Sequence, residues 1–523
     1  MTGPATGGEL WVEGMTSCED RAGVRSARAP EEGPMDTSTS HVDRQPPSVH
    51  LRIGGESLSS GSGGTHGHVN PCDGKVDATI PLAGATEVER AVRVAHDAFE
   101  EWRRTAPAKR RQLLLRLADL IEDRATEFAR LGTLDNGMPN AEGGMSGISA
   151  EWTRYYAGWA DKLSSDVVGS IADSGGFSYT VGQPYGVIGI IITWNGPLIS
   201  LAMKVPAAVA AGNTVVVKPS EVTPFTGELF ADIVAEAGFP PGVINILPGA
   251  PEAGEALVGH PLVKKVTFTG GPATARRILH ACAESMKPVV LELGGKSANI
   301  VFDDADLDAA CARGTMMACG VMSGQGCAFP SRMLVQSTVY DEVVERVAAV
   351  ARSFVVGDPF TPGVVAGPVV NEAALHRILA MIGRAEADGA RLVAGGKRIG
   401  GDLADGFYIE PTVFADVDPQ SELAQNEVFG PVLAVTPFET EEDAVRIANS
   451  TEYGLSGYVQ TADLRRALRV ADELVTGEVM INGASNLFVN RPFGGVGLSG
   501  LGKEGGRHGI EEFLRVKGIG IAG

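Results

Sequence analysis

The chain has 523 residues, and its 64 acidic side chains against 44 basic ones leave a net charge of −20. A surplus of that sign repels phosphate backbones and anionic lipid, which argues against nucleic-acid and membrane-surface roles. An apolar fraction of 44% and a charged fraction of 21% belong to a soluble globular protein, and at ~150 residues per domain the length allows three or four units, or fewer large ones.

In chain order, residues 1–48 are rich in Gly, Pro, Ser, Thr and charge without periodicity, and read as a disordered tail or as sequence upstream of a start at Met35. A second loose stretch, Ser57 to Gly67, precedes a helix that opens with a capping box at Thr86–Glu89 and buries Val88, Ala91, Val92, Ala95 and Phe99. The most apolar run, Val187 to Met203, is broken by Asn195 and Pro197 and closed by Lys204, so it reads as a buried strand and turn rather than a membrane span. Val187–Ile192 and Thr214–Lys218 are apolar on both faces, as central parallel strands are. A helix with Pro224 at its first position follows Thr223 and ends at Gly238. Ile244–Leu247, Val266–Thr269 and Val289–Glu292 read as further strands, with a helix around Thr274–Glu284. Strand and helix in alternation predict an α/β fold with a covered parallel sheet, whose ligands sit beyond the carboxyl ends of the strands. The same texture runs to about residue 480, which predicts a second α/β domain. No internal repeat or heptad array is visible.

The six cysteines, at 18, 72, 282, 311, 319 and 327, form no CxxC pair, and no Cys/His cluster has zinc spacing. No metal site is therefore expected. Cysteines this sparse, with no signal-peptide pattern at the N-terminus, predict a cytoplasmic protein. Gly495-Val496-Gly497-Leu498-Ser499-Gly500 has the spacing of a dinucleotide fingerprint but follows Pro492-Phe493 instead of a strand, so it reads as a plain turn.

Four places carry residues suited to chemistry. Cys327 stands among small neighbours in Ser323-Gly324-Gln325-Gly326-Cys327-Ala328, which leaves its sulfur and nearby N–H groups open to a substrate. A thiol of ordinary pKa is only ~3% thiolate at neutral pH, so nucleophilic use requires activation, and a buried inert cysteine is the competing reading. Cys311 and Cys319, in an apolar helical stretch, take that inert reading. Glu292 ends an apolar strand, where partial desolvation raises a carboxyl toward the range of a general base; a surface Glu or a partner of Lys296 fits as well. Asn195 offers an amide donor for an oxyanion, or is simply a turn residue. Lys218 and Glu221, in Lys218-Pro219-Ser220-Glu221, suit ribose hydroxyls or else form a solvated pair at a helix start.

In combination these residues are no longer ambiguous. Thr193-Trp194-Asn195, Lys218-Pro219-Ser220-Glu221, Phe268-Thr269-Gly270, Glu292-Leu293-Gly294-Gly295-Lys296, Gly324-Gln325-Gly326-Cys327, Glu427-Val428-Phe429-Gly430-Pro431 and Pro492-Phe493-Gly494-Gly495 occur in the order found in aldehyde dehydrogenases. Over roughly residues 50 to 520 the chain resembles that superfamily. The resemblance implies an NAD(P)-binding α/β domain (49–164 and 185–293), a catalytic α/β domain (294–500) and a small β arm for oligomerisation (165–184 and 501–523) in a homodimer or homotetramer. It implies Cys327 as nucleophile, Glu292 as general base, and Asn195 with the Cys327 N–H as oxyanion hole. It implies NAD as cofactor, with NADP the alternative, held by Trp194, Lys218, Ser220, Glu221, Gly270, Gly271, Glu427 and Phe429. Gly271 departs from the family, where Ser is common. Coenzyme-A-acylating members lack the base, so Glu292 favours hydrolysis of a thioester.

Members acting on small aldehydes commonly carry Phe, Met, Trp, Phe and Asp at positions matching Gly196, Ser200, Met203, Val321 and Ser485. Four of these five are small here, and with Phe493 at the wall they imply a wide tunnel for a bulky apolar aldehyde. Refilling of that space by Phe429, Phe488, Phe493 or a neighbouring loop is the competing expectation. A cysteine hydrolase would need a His base, and no Cys-His motif is recognisable. A non-enzymatic protein on the same fold would be free to lose Cys327, Glu292 or Asn195, and all three are present.

Overall fold

The computed structural model describes residues 43–139, 144–169, 176–483 and 487–522, and Arg44–Gly523 form one compact unit. Residues 1–42 of the expected tail lie outside the described residues. From residue 44 the chain is already held: Arg44 pairs with Asp358 at 2.6 Å and lies over the Phe360 ring, and the Gln45 carbonyl accepts from Arg130.

Five parallel strands form the heart of an eight-stranded sheet, in the spatial order Ile244–Ile246, Thr214–Lys218, Val187–Ile191, Val263–Thr269, Val289–Glu292. Val187–Ile191 and Thr214–Lys218 are buried at every position, as their β-branched content on both faces requires. Each Val or Ile so enclosed contributes about 1.5–3 kcal/mol relative to exposure. The first of these strands in the chain, Val187–Ile191, has the second on one side and the fourth on the other. That is the reversal of winding at which crevices open beyond the strands' carboxyl ends. Antiparallel strands finish both edges: Leu51–Ile53 and Glu56–Leu58 on one side, Gly500–Leu501 against Val289–Glu292 on the other.

A second sheet has seven strands, in the order Arg391–Ala394, Thr412–Ala415, Val432–Phe438, Arg332–Gln336, Ala298–Val301, Ser456–Gln460, Glu478–Ile481. All its neighbours pair in parallel except the first two. Leu514–Ile521, Phe177–Pro184 and Val167–Val168 make a separate antiparallel arm. Residues 501–513, assigned to the arm on sequence grounds, instead return to the first sheet and pack the Gly506–Glu511 helix on the Pro197–Ala210 helix. Among the described residues no helix is long and apolar enough to cross a membrane, and no group of three or more His, Cys, Asp or Glu could hold a metal ion.

Several local expectations change. The first helix, Ala85–Trp102, is capped two residues earlier than expected: Glu87 accepts the Gly84 N–H at 2.9 Å, and Trp102 is buried while Phe99 is only half-buried. Pro224 is the cap of the Phe225–Ala237 helix and not its first residue. The stretch 57–67 contributes strand residues at both ends, in Glu56–Leu58 and Thr65–Val69. The run after Ile191 turns at 193–196 and then enters Pro197–Ala210, a helix buried on all sides. Proline at its first turn sacrifices only an N–H that would be unpaired anyway. Its enclosed Lys204 is neutralised by Glu504.

Candidate active site

Loops at the winding reversal build two cavities that share Thr193, Trp194, Thr269, Gly270 and Gly271. The larger, about 560 Å³, is lined by Trp194, Lys218, Ser220, Glu221, Gly270 and Gly271. The smaller, about 250 Å³, is lined by Asn195, Glu292, Cys327, Glu427 and Phe429. Every residue expected to hold cofactor or do chemistry thus lines one of two adjoining spaces.

Cys327 is delivered by a tight turn. Met322, Ser323 and Gly324 all have positive φ (51°, 49° and 70°), a conformation that costs a non-glycine residue ~1–2 kcal/mol. Hydrogen bonds hold it: Ser323 Oγ donates to the Gly367 carbonyl at 2.8 Å, Gln325 Nε2 to Met322 at 3.1 Å, and Val370 N–H to Gln325 Oε1 at 3.0 Å. Only glycine fits at 324, because a Cβ there would stand 2.2 Å from the Gly430 carbonyl oxygen. The Gly294-Gly295 loop approaches as closely, with a Cβ on Gly295 reaching 2.3 Å from the Cys327 carbonyl oxygen.

The electrostatics are those of a desolvated pocket. Burial, reinforced by the Glu427 and Glu292 carboxylates, pushes the Cys327 thiol up to about 12, while N–H groups of Ala328 and Cys327 work the other way. Glu292 is 3% exposed, and neither carboxyl oxygen has a hydrogen-bond partner among the described residues. Burial, then the Glu504 charge, lifts its pKa well above the ordinary carboxyl range against the pull of Lys204 and Lys503. It is not paired with Lys296. Glu427 accepts the Gly295 N–H at 2.9 Å, and burial raises it to about 7. Asn195 Nδ2 donates to the Gln325 carbonyl at 2.8 Å, which ties the turn at 193–196 to the cysteine turn. Trp194 and Phe429 meet edge-on with ring centroids 5.4 Å apart, at the junction of the two cavities. Lys218 and Glu221 stand 3.5 Å apart at the end of their strand.

The aldehyde dehydrogenase family profile matches residues 58–519. The chain belongs to the aldehyde dehydrogenase family. A mitochondrial aldehyde dehydrogenase of Mesocricetus auratus is 43% identical over 461 residues, covering 87% of this chain and 91% of that one. The crystal structure of betaine aldehyde dehydrogenase from Staphylococcus aureus with NAD+ is 36% identical and has a TM-score of 0.88, covering 91% of this chain and 94% of that one. Aldehyde dehydrogenase C of Pseudomonas syringae, solved as a mutant with NAD+ and octanal, is 38% identical with a TM-score of 0.86, covering 90% and 96%.

As an aldehyde dehydrogenase the chain is an oxidoreductase that uses NAD(P), and the larger cavity fits that cofactor. It lies at the winding reversal, with Lys218 and Glu221 at one strand end and the start of the Pro272–Ala283 helix opposite. A Cβ on Gly271, the cap of that helix, would meet nothing within 4 Å, so the family's serine is missing from open space.

The expected substrate tunnel is less direct. Gly196, Ser200, Met203, Val321 and Phe493 line neither cavity, and Ser200, Met203 and Phe493 are buried in the packing around the Pro197–Ala210 helix. Ser485 lies outside the described residues. Sequence reasoning missed Arg377, which lines the smaller cavity, and Asn136, whose side-chain amide reaches the Trp194 carbonyl at 3.3 Å. A polar pair, Asp135-Asn136, ending an apolar helix before Gly137 was the available signal.

Proposed function

We propose that this enzyme oxidises a bulky apolar aldehyde to its carboxylate with NAD as the preferred acceptor, through a thioester on Cys327 that Glu292 helps water to hydrolyse. What carries the reading is the convergence of Cys327, Asn195 and Glu292 on one cavity of about 250 Å³ that adjoins the cofactor cavity. The Cys327 sulfur adds to the aldehyde carbon after losing its proton to Glu292, one of two carboxylates, with Glu427, that line the same space. Asn195 donates one amide N–H to the resulting alkoxide; an amide has two such hydrogens, so its bond to Gln325 can persist. The bound nicotinamide supplies the acceptor for the hydride that leaves as the adduct collapses to the thioester. Glu292, having passed the thiol proton to solvent, then takes a proton from the attacking water, and Cys327 departs as the thiolate while the carboxylate product forms.

Lys218 and Glu221 would hold the adenosine ribose, and Glu427 with Phe429 the nicotinamide end. Glu221 repels a 2′-phosphate, so kcat/KM with NAD should exceed that with NADP. The preference for a bulky substrate rests on the small side chains at Gly196, Ser200 and Val321, and the octanal held by the Pseudomonas relative is in keeping with it. The cytoplasm is the proposed compartment, and a homodimer or homotetramer the proposed assembly. The arm exposes Val167, Phe177, Val516 and Ile521 in a manner suited to a partner subunit.

NADH formation across a panel of aldehydes, with NAD and NADP in turn, tests the whole reading. Cys327→Ala should abolish turnover while NAD binding persists, and retention of more than a few per cent of kcat by that variant overturns the assignment.

A further inference from the structure

The peptide joining Trp194 to Asn195 lies beyond the end of its strand. The Ile192 N–H still donates to the Lys218 carbonyl at 3.2 Å, but the Val187–Ile191 ladder stops there. At this exposed end of the backbone the helix Ala125–Asn136 presents its last residue. Asn136 is 4% exposed; its Nδ2 donates to the Trp194 carbonyl at 3.3 Å and its Oδ1 accepts the Met138 N–H at 3.1 Å.

Asn136 is itself firmly placed. The carboxylate of the preceding Asp135, 1% exposed, accepts the N–H groups of Phe225 and Thr226 at 2.8 and 2.9 Å, capping the helix that follows the Lys218–Glu221 loop. The Asp135 carbonyl stands 3.2 Å from His68 Nε2, and Thr133 Oγ1 donates to the Met138 carbonyl at 3.0 Å. A group that orients another needs such a rigid mounting of its own.

We propose that Asn136 is a positioning residue for Asn195. By holding the Trp194 carbonyl it fixes the plane of the peptide that carries Asn195, and so the direction in which the Asn195 amide meets the alkoxide on Cys327. Asn195 is gripped from two sides, its backbone by Asn136 and its side chain by Gln325. Displacing an oxyanion donor by even part of an ångström is expensive in rate, whereas Lys218, Glu221 and Glu427, proposed to hold NAD, make no hydrogen bond to Asn136 among the described residues.

This inference rests on the reading of Asn195 as the oxyanion donor, and a double-mutant cycle separates the two. Asn136→Ser keeps a hydroxyl for the Met138 N–H but is too short to reach Trp194. Asn136→Leu, closer in shape, replaces it should the serine variant not fold. With Asn195 intact, either variant should lower kcat roughly tenfold with the Kd for NAD unchanged. In an Asn195→Ala background the same change should cost nothing further. Equal losses in both backgrounds, or a Kd for NAD that worsens in step with kcat, would overturn the positioning role. Asn195→Ala that leaves kcat within twofold of wild type would remove the oxyanion reading, and the proposal with it.

Discussion

Glu292 is the residue on which the energetics and the chemistry of this site conflict. Its carboxyl is enclosed without a hydrogen-bond partner among the described residues, and burial holds its pKa well above the usual range. A folded-state pKa raised in this way contributes stability that is complete below the unfolded carboxyl pKa and is lost as pH rises through the folded value. Glu292→Gln should therefore raise Tm relative to wild type, and by more at pH 9 than at pH 5. A Tm difference that is flat across that range would mean the carboxyl is not held neutral. The same variant should release a burst of NADH close to one per active site and then turn over slowly, because thioester formation outruns its hydrolysis. Unchanged steady-state turnover would count against Glu292 as the deacylating base. Glu427 offers a second pH signature. Held at about 7 by burial, it becomes a poorer acceptor for ribose hydroxyls as it protonates. The KM for NAD should climb as pH drops from 8 to 6, and Glu427→Gln should flatten that slope.

Among the secondary elements, the Pro197–Ala210 helix joins the turn at 193–196 to the apolar packing behind it, and Gly196 is its cap. Gly196 has φ −155° and ψ 68°, outside the left-handed region that favours glycine, but a Cβ there would stand 2.8 Å from Ile199 Cγ2. Gly196→Phe therefore displaces Ile199 and, on the wide-tunnel reading, also narrows the approach to Cys327, and Gly196→Ala isolates the first effect. Each methylene of a substrate matched to a complementary wall is worth ~1–3 kcal/mol of discrimination. Wild type should favour a long-chain or aromatic aldehyde over acetaldehyde by at least tenfold in kcat/KM, and Gly196→Phe should shrink that ratio while Gly196→Ala leaves it nearly unchanged. A wild type that prefers acetaldehyde would defeat the wide-tunnel idea. The elements that the sequence displays most openly are those buried on both faces, such as Thr214–Lys218 and Val289–Glu292, whose apolar runs have no other explanation. Hidden elements owe their form to distant partners. Gly500–Leu501 is a strand only because Val289–Glu292 lies beside it, and the left-handed turn at Met322-Ser323 persists because Gly367 and Val370 hold it. The candidate roles of Cys327, Glu292 and Asn195 were readable only because seven motifs, theirs among them, fall in one family's order. Asn136 was not, since its role depends on a carbonyl some sixty residues away in sequence.

For the whole molecule, the arm and the first sheet are built from both ends of the chain. Leu514–Ile521 pairs along the full length of Phe177–Pro184, so deleting residues 514–523 would strip the arm of its longest ladder. The truncated protein should sediment as a smaller species than the full chain while still binding NAD, and an unaltered sedimentation coefficient would show that assembly lies elsewhere. The first sheet has a related dependence with a different outcome. Its last strand, Gly500–Leu501, covers the edge that ends in Glu292, and Gly500 sits opposite that residue. During synthesis the Val289–Glu292 strand leaves the ribosome long before its neighbour exists. The nascent protein therefore carries an open, apolar strand edge while about 200 further residues are added, at ~5–20 residues per second, a template for wrong pairing that a chaperone is suited to shield. Translation order makes the cofactor domain the first to begin folding and among the last to be finished.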